Sequence, residues 1–481
     1  MNMSTALNNA LGGLSAASRG AAVVSGNIAN ALTPGYARRS LELATSPVAG
    51  NGVRVVGIAR HQDPALIASR RATDADFAAA KAASLFHSGF EKLVGTADDA
   101  TSIAARLAQF ESNLITAASL PDSVQRLDQA ARAGGELSTA LNYASEGLRQ
   151  MRSDADRTIG KQVDTLNQTL KDIEKLNARI PAIRNTGGDI GALLDQRQIL
   201  IDQVNELVPV NVIARENDQV SIYSDGGLIL LEGSAAGFSF TTTGDTMPHM
   251  TLDNGLLSGL EVDGRPVRIS GEFAQIRGGA LMTQFAVRDE LAVEAQADLD
   301  TVARDLIERY ETAGLDVTTT ATDPGLFTDD GNRFDPATQI GVASRIALNV
   351  VVDPDAGGES WKLRAGLGAL TPGAPGDASQ LQAFSTVLTD PRPAPGFGTG
   401  SMRAAEITEA LLSKAGANAH AADQRSSFAA NAQLEMNNIV AEQGVDSDTE
   451  LQRLMQIEQA YAANARIVAV VDELMDTLLR L

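Results

Sequence analysis

Cysteine is absent from the 481 residues. That excludes disulfides, thiolate metal sites and cysteine nucleophiles, and it lets a chain pass between reducing and oxidising compartments unchanged. Tryptophan occurs once, at Trp361, and aromatic residues make up only 4%, which disfavours a large aromatic-lined ligand site. Lys and Arg number 39 against 60 Asp and Glu, a net charge of -21. This surplus of acid speaks against nucleic acid and anionic membrane as partners. No apolar run reaches the roughly 18 residues of a membrane span. The N-terminal stretch "MNMSTALNNALGGLSAASRG" lacks a basic region followed by an apolar core, so an ordinary cleaved secretion signal is not expected. A cytosolic protein, or one exported by another route, remains.

Catalytic patterns are also scarce. His61, His87, His249 and His420 are scattered and form no H-E-x-x-H pair. There is no G-x-S-x-G, and "GGLSAASRG" has no lysine after its glycines to hold a phosphate. "DDGNRFD" (329–335) and "DPDAGGES" (353–360) depart from calcium-loop spacing and read as acidic turns. Among the carboxylates nothing singles out a pair for glycoside hydrolysis. No catalytic, cofactor-binding or metal-ligating residue is nominated.

What is present is heptad periodicity at both ends. Leu7, Leu14, Ala21 and Ile28 recur every seven residues, and Ala10, Ala17, Val24 and Ala31 follow three later. This is an a/d seam with small residues on one side, which lets a neighbouring helix approach closely. Near the C-terminus Leu454, Tyr461, Val468 and Met475 recur every seven, followed by Ile457, Asn464, Val471 and Leu478. Ser447 and Glu450 read as a capping box that opens this helix. Residues 1–40 carry Arg19, Arg38 and Arg39 and no acid, whereas residues 447–481 carry six acids against three bases. Two amphipathic helices packed on a central core, or a coiled coil of the two ends completed between subunits, both fit this pattern. Asn464 is placed to control register. Glycines 12, 13, 20 and 26 weaken the first helix, each by up to ~1 kcal/mol against Ala, so that segment is expected to be disordered until a neighbour orders it.

The first helix is expected to stop at "NIANALTPGYARR" (27–39). Thr33-Pro34-Gly35-Tyr36 fits a type II turn, with Tyr36 packing back on the helix end. Beyond it "SLELATSP" and "GVRVVGIAR" read as an edge strand or short hairpin. Residues 64–118 are helix-prone with a break at 95–101. A long helix is predicted over 136–180 with one stutter in its heptads, then an antiparallel helix over 190–208. Strand signals run from 209 to about 276, helix returns over 288–313, and 402–442 is Ala-rich helix. The fold class is α+β, mainly α. Residues 1–60 and 435–481 should form a terminal coiled-coil core domain. Residues 61–208, 277–314 and 402–434 should form a helical rod, with a β-rich segment at 209–276. Residues 315–401 should form a mixed, Pro/Gly-rich outer insertion.

"SGNIANALTPGYARR" and the closing "LMQIEQAYAANARIVAVVDELMDTLLRL" resemble the paired terminal signatures of bacterial flagellar axial proteins, the rod, hook and hook-associated proteins. "LLDQRQILIDQVNELVPVNV" and "GGALMTQFAVRDELAVEAQADLDTVARDLIERY" are similar to blocks of the hook-associated protein 1 family, whose members join hook to filament. The chain departs from the family at "GVDSDTE", where Asn usually follows Gly-Val. The resemblance implies an extracellular structural subunit, not an enzyme, exported unfolded by the flagellar type III apparatus without a cleaved signal peptide. It implies terminal helices that fold on assembly, along the seams Leu7, Leu14, Ala21, Val24, Ile28 and Leu454, Ile457, Tyr461, Asn464, Val468, Val471, Met475, Leu478. The turn residues Asn27, Asn30, Thr33, Pro34, Gly35 and Tyr36 would redirect the chain from the inner core to the outer domains. Implied partners are the hook protein, hook-associated protein 3, further copies of the chain, and a cytosolic export chaperone on the C-terminal helix. A hook or distal rod protein, a cytosolic coiled-coil adaptor and a scaffold-borne hydrolase inserted at 209–400 stay open at this point.

Overall fold

The computed structural model describes residues 3–45, 52–186 and 188–479. Ala-rich helix α1, Met3–Ala29, opens the chain. It stops where Pro34 and Gly35 forbid continuation: Gly35 has φ +75 and the Tyr36 amide donates to the Thr33 carbonyl at 3.2 Å, the geometry of a type II turn. Strands β1, Arg39–Thr45, and β2, Val53–Arg60, pair antiparallel with a bulge at Glu42/Leu43, and Arg39 faces Arg60. Ser46 and Pro47 of the expected extended stretch lie outside the described residues.

Asp63 caps α2, Pro64–Val94, by accepting from the amides of Ala65 and Leu66. Then come α3, Ile103–Ser119, α4, Val124–Asn185, and α5, Gly191–Leu207. α4 is longer at both ends than the expected 136–180 and includes Gly134, Gly135 and Pro181. Packing accounts for the added N-terminal turns. A Cβ on Gly134 would lie 3.1 Å from Leu348 and 3.2 Å from Phe110, so a residue poor in helix propensity serves as a close-contact site. α5 runs antiparallel to the end of α4, with Arg197 donating to Asn177 at 2.9 Å.

Strands β3, Val210–Ala214, β4, Val220–Ser224, β5, Ile229–Glu232, and β6, Ser234–Ala235, form one sheet in chain order. Strands β7, Phe238–Ser239, β8, Glu261–Val262, and β9, Arg265–Pro266, form a second. Helix α6, Gly279–Ala286, passes through a π turn at Val287–Leu291 into α7, Ala292–Tyr310. Then follow β10, Phe327–Asp329, β11, Ile346–Leu348, α8, Lys362–Ala365, α9, Ser379–Thr389, and the short pair β12, Arg392–Pro393, and β13, Ser401–Met402. Helices α10, Ala404–Glu442, and α11, Ser447–Leu479, complete the chain. α10 lies antiparallel to α2, where Gln433 donates to Asp74 at 2.8 Å and Gly416 abuts Glu91.

Two apolar cores result. One joins the C-terminal half of α4 to α5, α6 and the two sheets, through Ile159, Leu166, Ile173, Val204, Ile222 and Phe285. The other joins α3, the N-terminal half of α4, α7, α9 and α10. Residues 315–401, expected as an outer insertion, belong to this second core: Phe327, Ile346, Leu363 and Phe384 are buried in it. Phe327 meets Phe110 at 5.5 Å and Tyr310 at 5.4 Å, and Tyr310 meets Phe384 at 5.5 Å, all edge-to-face. Turn-rich composition describes this backbone but not the sparse apolar side chains that it turns into the core, while Val317 and Leu370 stay exposed. Another boundary also moves. α10 is unbroken to Glu442, so residues 435–442 stay with the rod rather than with the terminal domain.

Candidate functional site

The two chain ends meet. α1 and α11 pack antiparallel, with Gly13 beside Asn464, Gly20 beside Ile457 and Asn27 beside Glu450. Each step of seven on one helix matches a step of seven on the other. A Cβ on Gly13 would lie 2.6 Å from the Asn464 amide, and one on Gly20 would lie 3.2 Å from Ile457 Cδ1. The glycines that weaken α1 in isolation therefore let α11 approach it.

The buried line on α1 is Ala10, Ala17, Gly20, Val24 and Asn27, with Ala16 buried beside it. It includes Ala10, Ala17 and Val24 from the small-residue side of the expected seam and extends from them to Gly20 and Asn27, where α11 approaches. Val24 is buried, while Leu7, Leu14, Ala21 and Ile28 are half-buried. On α11, Val471 is buried and Leu454, Ile457, Asn464 and Val468 are half-buried toward α1. Tyr461 and Met475 are each 48% exposed, so the expected seam does not close over them. The Leu478 side chain lies outside what is described. Asn464 donates to the Ala460 carbonyl of its own helix at 2.9 Å.

At the base of the pair sits a buried polar knot. Asn27 is fully buried. Its amide nitrogen donates to Glu450 Oε2 at 3.0 Å and to the Arg39 carbonyl at 2.8 Å. Its amide oxygen accepts from the Tyr36 hydroxyl at 2.8 Å and from the Arg39 amide at 3.0 Å. Arg38 Nε donates to Glu450 Oε1 at 2.8 Å. Burial, reinforced by the carboxylates of Asp195 and Glu450 against the opposing Arg39 guanidinium, raises the Tyr36 phenol above its ordinary value, so the hydroxyl stays a donor. Asn30 donates to the Gly26 carbonyl at 2.9 Å and accepts from Thr33 at 3.3 Å, tying off the helix end. Pro34 is exposed.

Glu450 does not complete a capping box. Asp446 caps α11 instead, accepting from the amides of Asp448 and Thr449 at 2.9 and 3.3 Å and from the Thr449 hydroxyl at 2.7 Å. Arg38 and Asn27 draw Glu450 away, and Asp446, one residue ahead of the expected cap, supplies the acceptor.

Toward the rod, Asp195 on α5 accepts from Arg39 Nη2 at 2.7 Å and Arg60 Nε at 2.8 Å. Ile199, one turn on, fills the space left by Gly35, whose Cβ would lie 2.6 Å from it. Burial lowers the Arg60 guanidinium from its ordinary value, and Asp195 opposes the shift. Arg70 and Arg71 of α2 both bond Asp202 of α5. Neither Asp195 nor Glu450 stands out as a knot in the sequence. The available signal was Asn27, an amide on the line of small residues buried against α11.

Among the described residues no group of three or more His, Asp or Glu is placed to hold a metal ion. Asp329, in one of the acidic turns, pairs with Arg345, and Asp353, in the other, caps a short helical turn. No described helix is long and apolar enough to cross a membrane.

Comparison with known proteins matches three stretches of the chain. The family model described as the helical domain of flagellar hook-associated protein FlgK matches residues 88–325. A flagella basal body rod protein model matches residues 7–36, and a flagellar basal body rod FlgEFG protein C-terminal model matches 436–481. The chain is 22% identical to flagellar hook-associated protein 1 of Bacillus subtilis, over 98% of this chain and 97% of the relative. It is 30% identical to the protein of that name from Salmonella typhimurium over 49% of this chain, a match that spans 44% of the relative's length. The flagellar hook junction protein FlgK from Burkholderia pseudomallei superposes with a TM-score of 0.45 at 18% identity, over 54% of this chain and 46% of that one.

Proposed function

The chain belongs to the flagellar hook-associated protein 1 family, as its terminal and middle blocks led us to expect, and from that premise we propose that it is a structural subunit joining the flagellar hook to the filament. It enters the axis through its paired ends. The observation that carries this reading is the apolar surface left on α11. Leu451, Met455, Tyr461, Ile467, Val470, Leu474 and Met475 are all 45–56% exposed on one helix. So much apolar side chain on a helix about 50 Å long is the mark of a surface built to be covered.

Further copies of the chain cover this surface in the assembled ring, and the hook protein and hook-associated protein 3 adjoin it below and above. Before export a cytosolic chaperone shields α11, and the chain leaves through the flagellar type III apparatus to become extracellular. Turnover has no part in this role. The terminal signatures are common to rod and hook proteins, whereas the helical-domain match over residues 88–325 favours the junction protein over those relatives.

Deletion of residues 447–481 tests the proposal. Cells producing the shortened chain are expected to keep their hooks, build no filaments and shed filament subunits into the medium. Normal filaments would overturn both the terminal-assembly role and the junction reading.

A further inference from the structure

Strands β7 and β8 pair through Phe238 with Val262 and Ser239 with Glu261. The chain that joins them, residues 240–260, contains no helix or strand. Connections of more than about 15 residues without regular structure are uncommon inside a packed body, and those that occur are often functional. Over 241–256 Thr246 is the one buried residue, while Met247, Leu252 and Leu256 are 39–50% exposed. Apolar packing therefore does not hold this segment down.

Hydrogen bonds from the middle of α4 do. Arg152 donates from Nη1 to the Met247 and Pro248 carbonyls at 3.0 and 3.2 Å, and from Nη2 to the Met250 carbonyl. Asp156 Oδ2 accepts from the Thr243 and Gly244 amides at 2.6 and 3.3 Å, and Ser153 Oγ accepts from the Thr246 amide at 2.9 Å. At the edge Arg157 donates to the Gly244 carbonyl at 3.2 Å, and Arg149 pairs with Asp245. Arg152 Nε also donates to the Arg288 carbonyl at 2.6 Å, and Arg288, in the π turn, donates to Asp156 Oδ1 at 2.8 Å and to the Ser258 carbonyl at 3.0 Å. Arg152, Asp156 and Arg288 thus form one hub that joins α4, the π turn and the loop, and none of the three is more than 3% exposed.

The hub sits at the boundary of the two cores, since Ile159 belongs to the first and Ala155 to the second. Met151, Ala155, Ile159 and Val163 follow at intervals of four, the stutter expected in the heptads of α4, and the π turn interrupts the neighbouring helix at the same level. Pro248 rests on the second core, 3.2 Å from where a Cβ on Gly341 would stand. The closed arrangement also carries a cost. The buried Thr246 hydroxyl has no hydrogen-bond partner, and opening would return it to water.

We propose that residues 241–256 form a strap that opens as a unit of its own, with Arg152, Ser153 and Asp156 as the positioning residues that close it. Closed, the strap seals the ionic hub from water. Open, it uncovers Arg152 and Asp156 while both cores stay packed. The strap lies wholly within the rod, so its opening is independent of the terminal helices and of the assembly role.

Hydrogen exchange in the full-length chain, read by mass spectrometry, tests the strap. In the unmodified chain the amides of Thr243, Gly244 and Thr246 should exchange more slowly than in an unstructured peptide, and faster than the core segments 163–173 and 299–307. Arg152→Gln gives up the fork that bonds three strap carbonyls. It should speed strap exchange roughly tenfold and leave both core segments unchanged, with Arg152→Lys falling between. Ser153→Ala is the milder change, and it keeps the test open should Arg152→Gln fail to fold: it should speed exchange at Thr246 and leave the cores alone. Strap and cores speeding together would overturn the proposal, because the hub would then serve the fold and the strap would not be a separate unit. So would strap exchange that ignores both Arg152→Gln and Ser153→Ala, or strap amides already at the unstructured rate in the unmodified chain. None of these readouts involves filament growth, so a failed strap is distinguishable from a failed junction reading.

Discussion

Asn27 satisfies four hydrogen-bonding groups with one buried amide, and the buried Glu450 carboxylate accepts from Asn27, Arg38 and, at 3.5 Å, Arg453. Truncating one member of such a buried, charge-assisted set leaves the others without partners, at a cost of about 3 kcal/mol. Glu450→Ala is therefore expected to speed amide hydrogen exchange in residues 20–29 and 450–457 by roughly 100-fold, with Glu450→Gln falling between. Unchanged exchange in both variants would mean that the knot contributes no stability. Asn27 and Tyr36 were legible in the sequence as parts of a turn, because turn chemistry is local. Glu450 was legible only as an N-terminal cap, and Asp195 not at all. Their partners lie 423 and 156 residues away, and periodicity carries no information at that range.

Among the elements, α1 shows how one residue type serves opposite ends. A Cβ on Gly13 collides with Asn464, while one on Gly26 meets nothing within 4 Å. Gly26→Ala should then stabilise the helix by ~1 kcal/mol, and Gly13→Leu should pry α11 away, seen as lost helical signal near 222 nm in the full chain. Equal effects from the two would contradict the register described here. The heptads were readable as helices and Ala10, Ala17 and Val24 as a side open to close approach, but the part that Gly13, Gly20 and Asn27 play in the contact was not, since glycines mark a contact face only once a partner is known. The start of α11 has a pH sign. Hydrogen bonds from the Thr449 hydroxyl, then from the Thr449 and Asp448 amides, hold Asp446 below the ordinary aspartate range. A carboxyl lowered in the folded state adds stability above its unfolded pKa and loses it as pH falls through the folded value. Protection of residues 447–450 should decline over that acidic window, and Asp446→Ala should abolish the dependence.

Across the whole molecule, α4 runs 62 residues through both apolar cores, so the rod should unfold as one unit while the terminal pair melts apart from it. Trp361, the single tryptophan, packs against the second core and reports the rod alone. Removing residues 447–481 should leave the urea midpoint of Trp361 emission unchanged. A shift to lower urea would show that the terminal unit supports the rod. The order of helix, sheet and helix was legible from patterning, and the pairing of the ends was one of the two arrangements that the terminal heptads allowed. The place of residues 315–401 was not. Their cohesion comes from a few aromatic and aliphatic side chains, Phe327 and Phe384 among them, spaced too widely to set up a period of 2 or 3.6.

The knot between Asn27 and Glu450 also bears on time. Its two halves stand 423 residues apart, so no part-made or part-threaded chain holds both. Closing so long a loop is entropically slow relative to local helix formation. The terminal pair is therefore the last element to form, and its appearance signals that the rest of the molecule has already arrived.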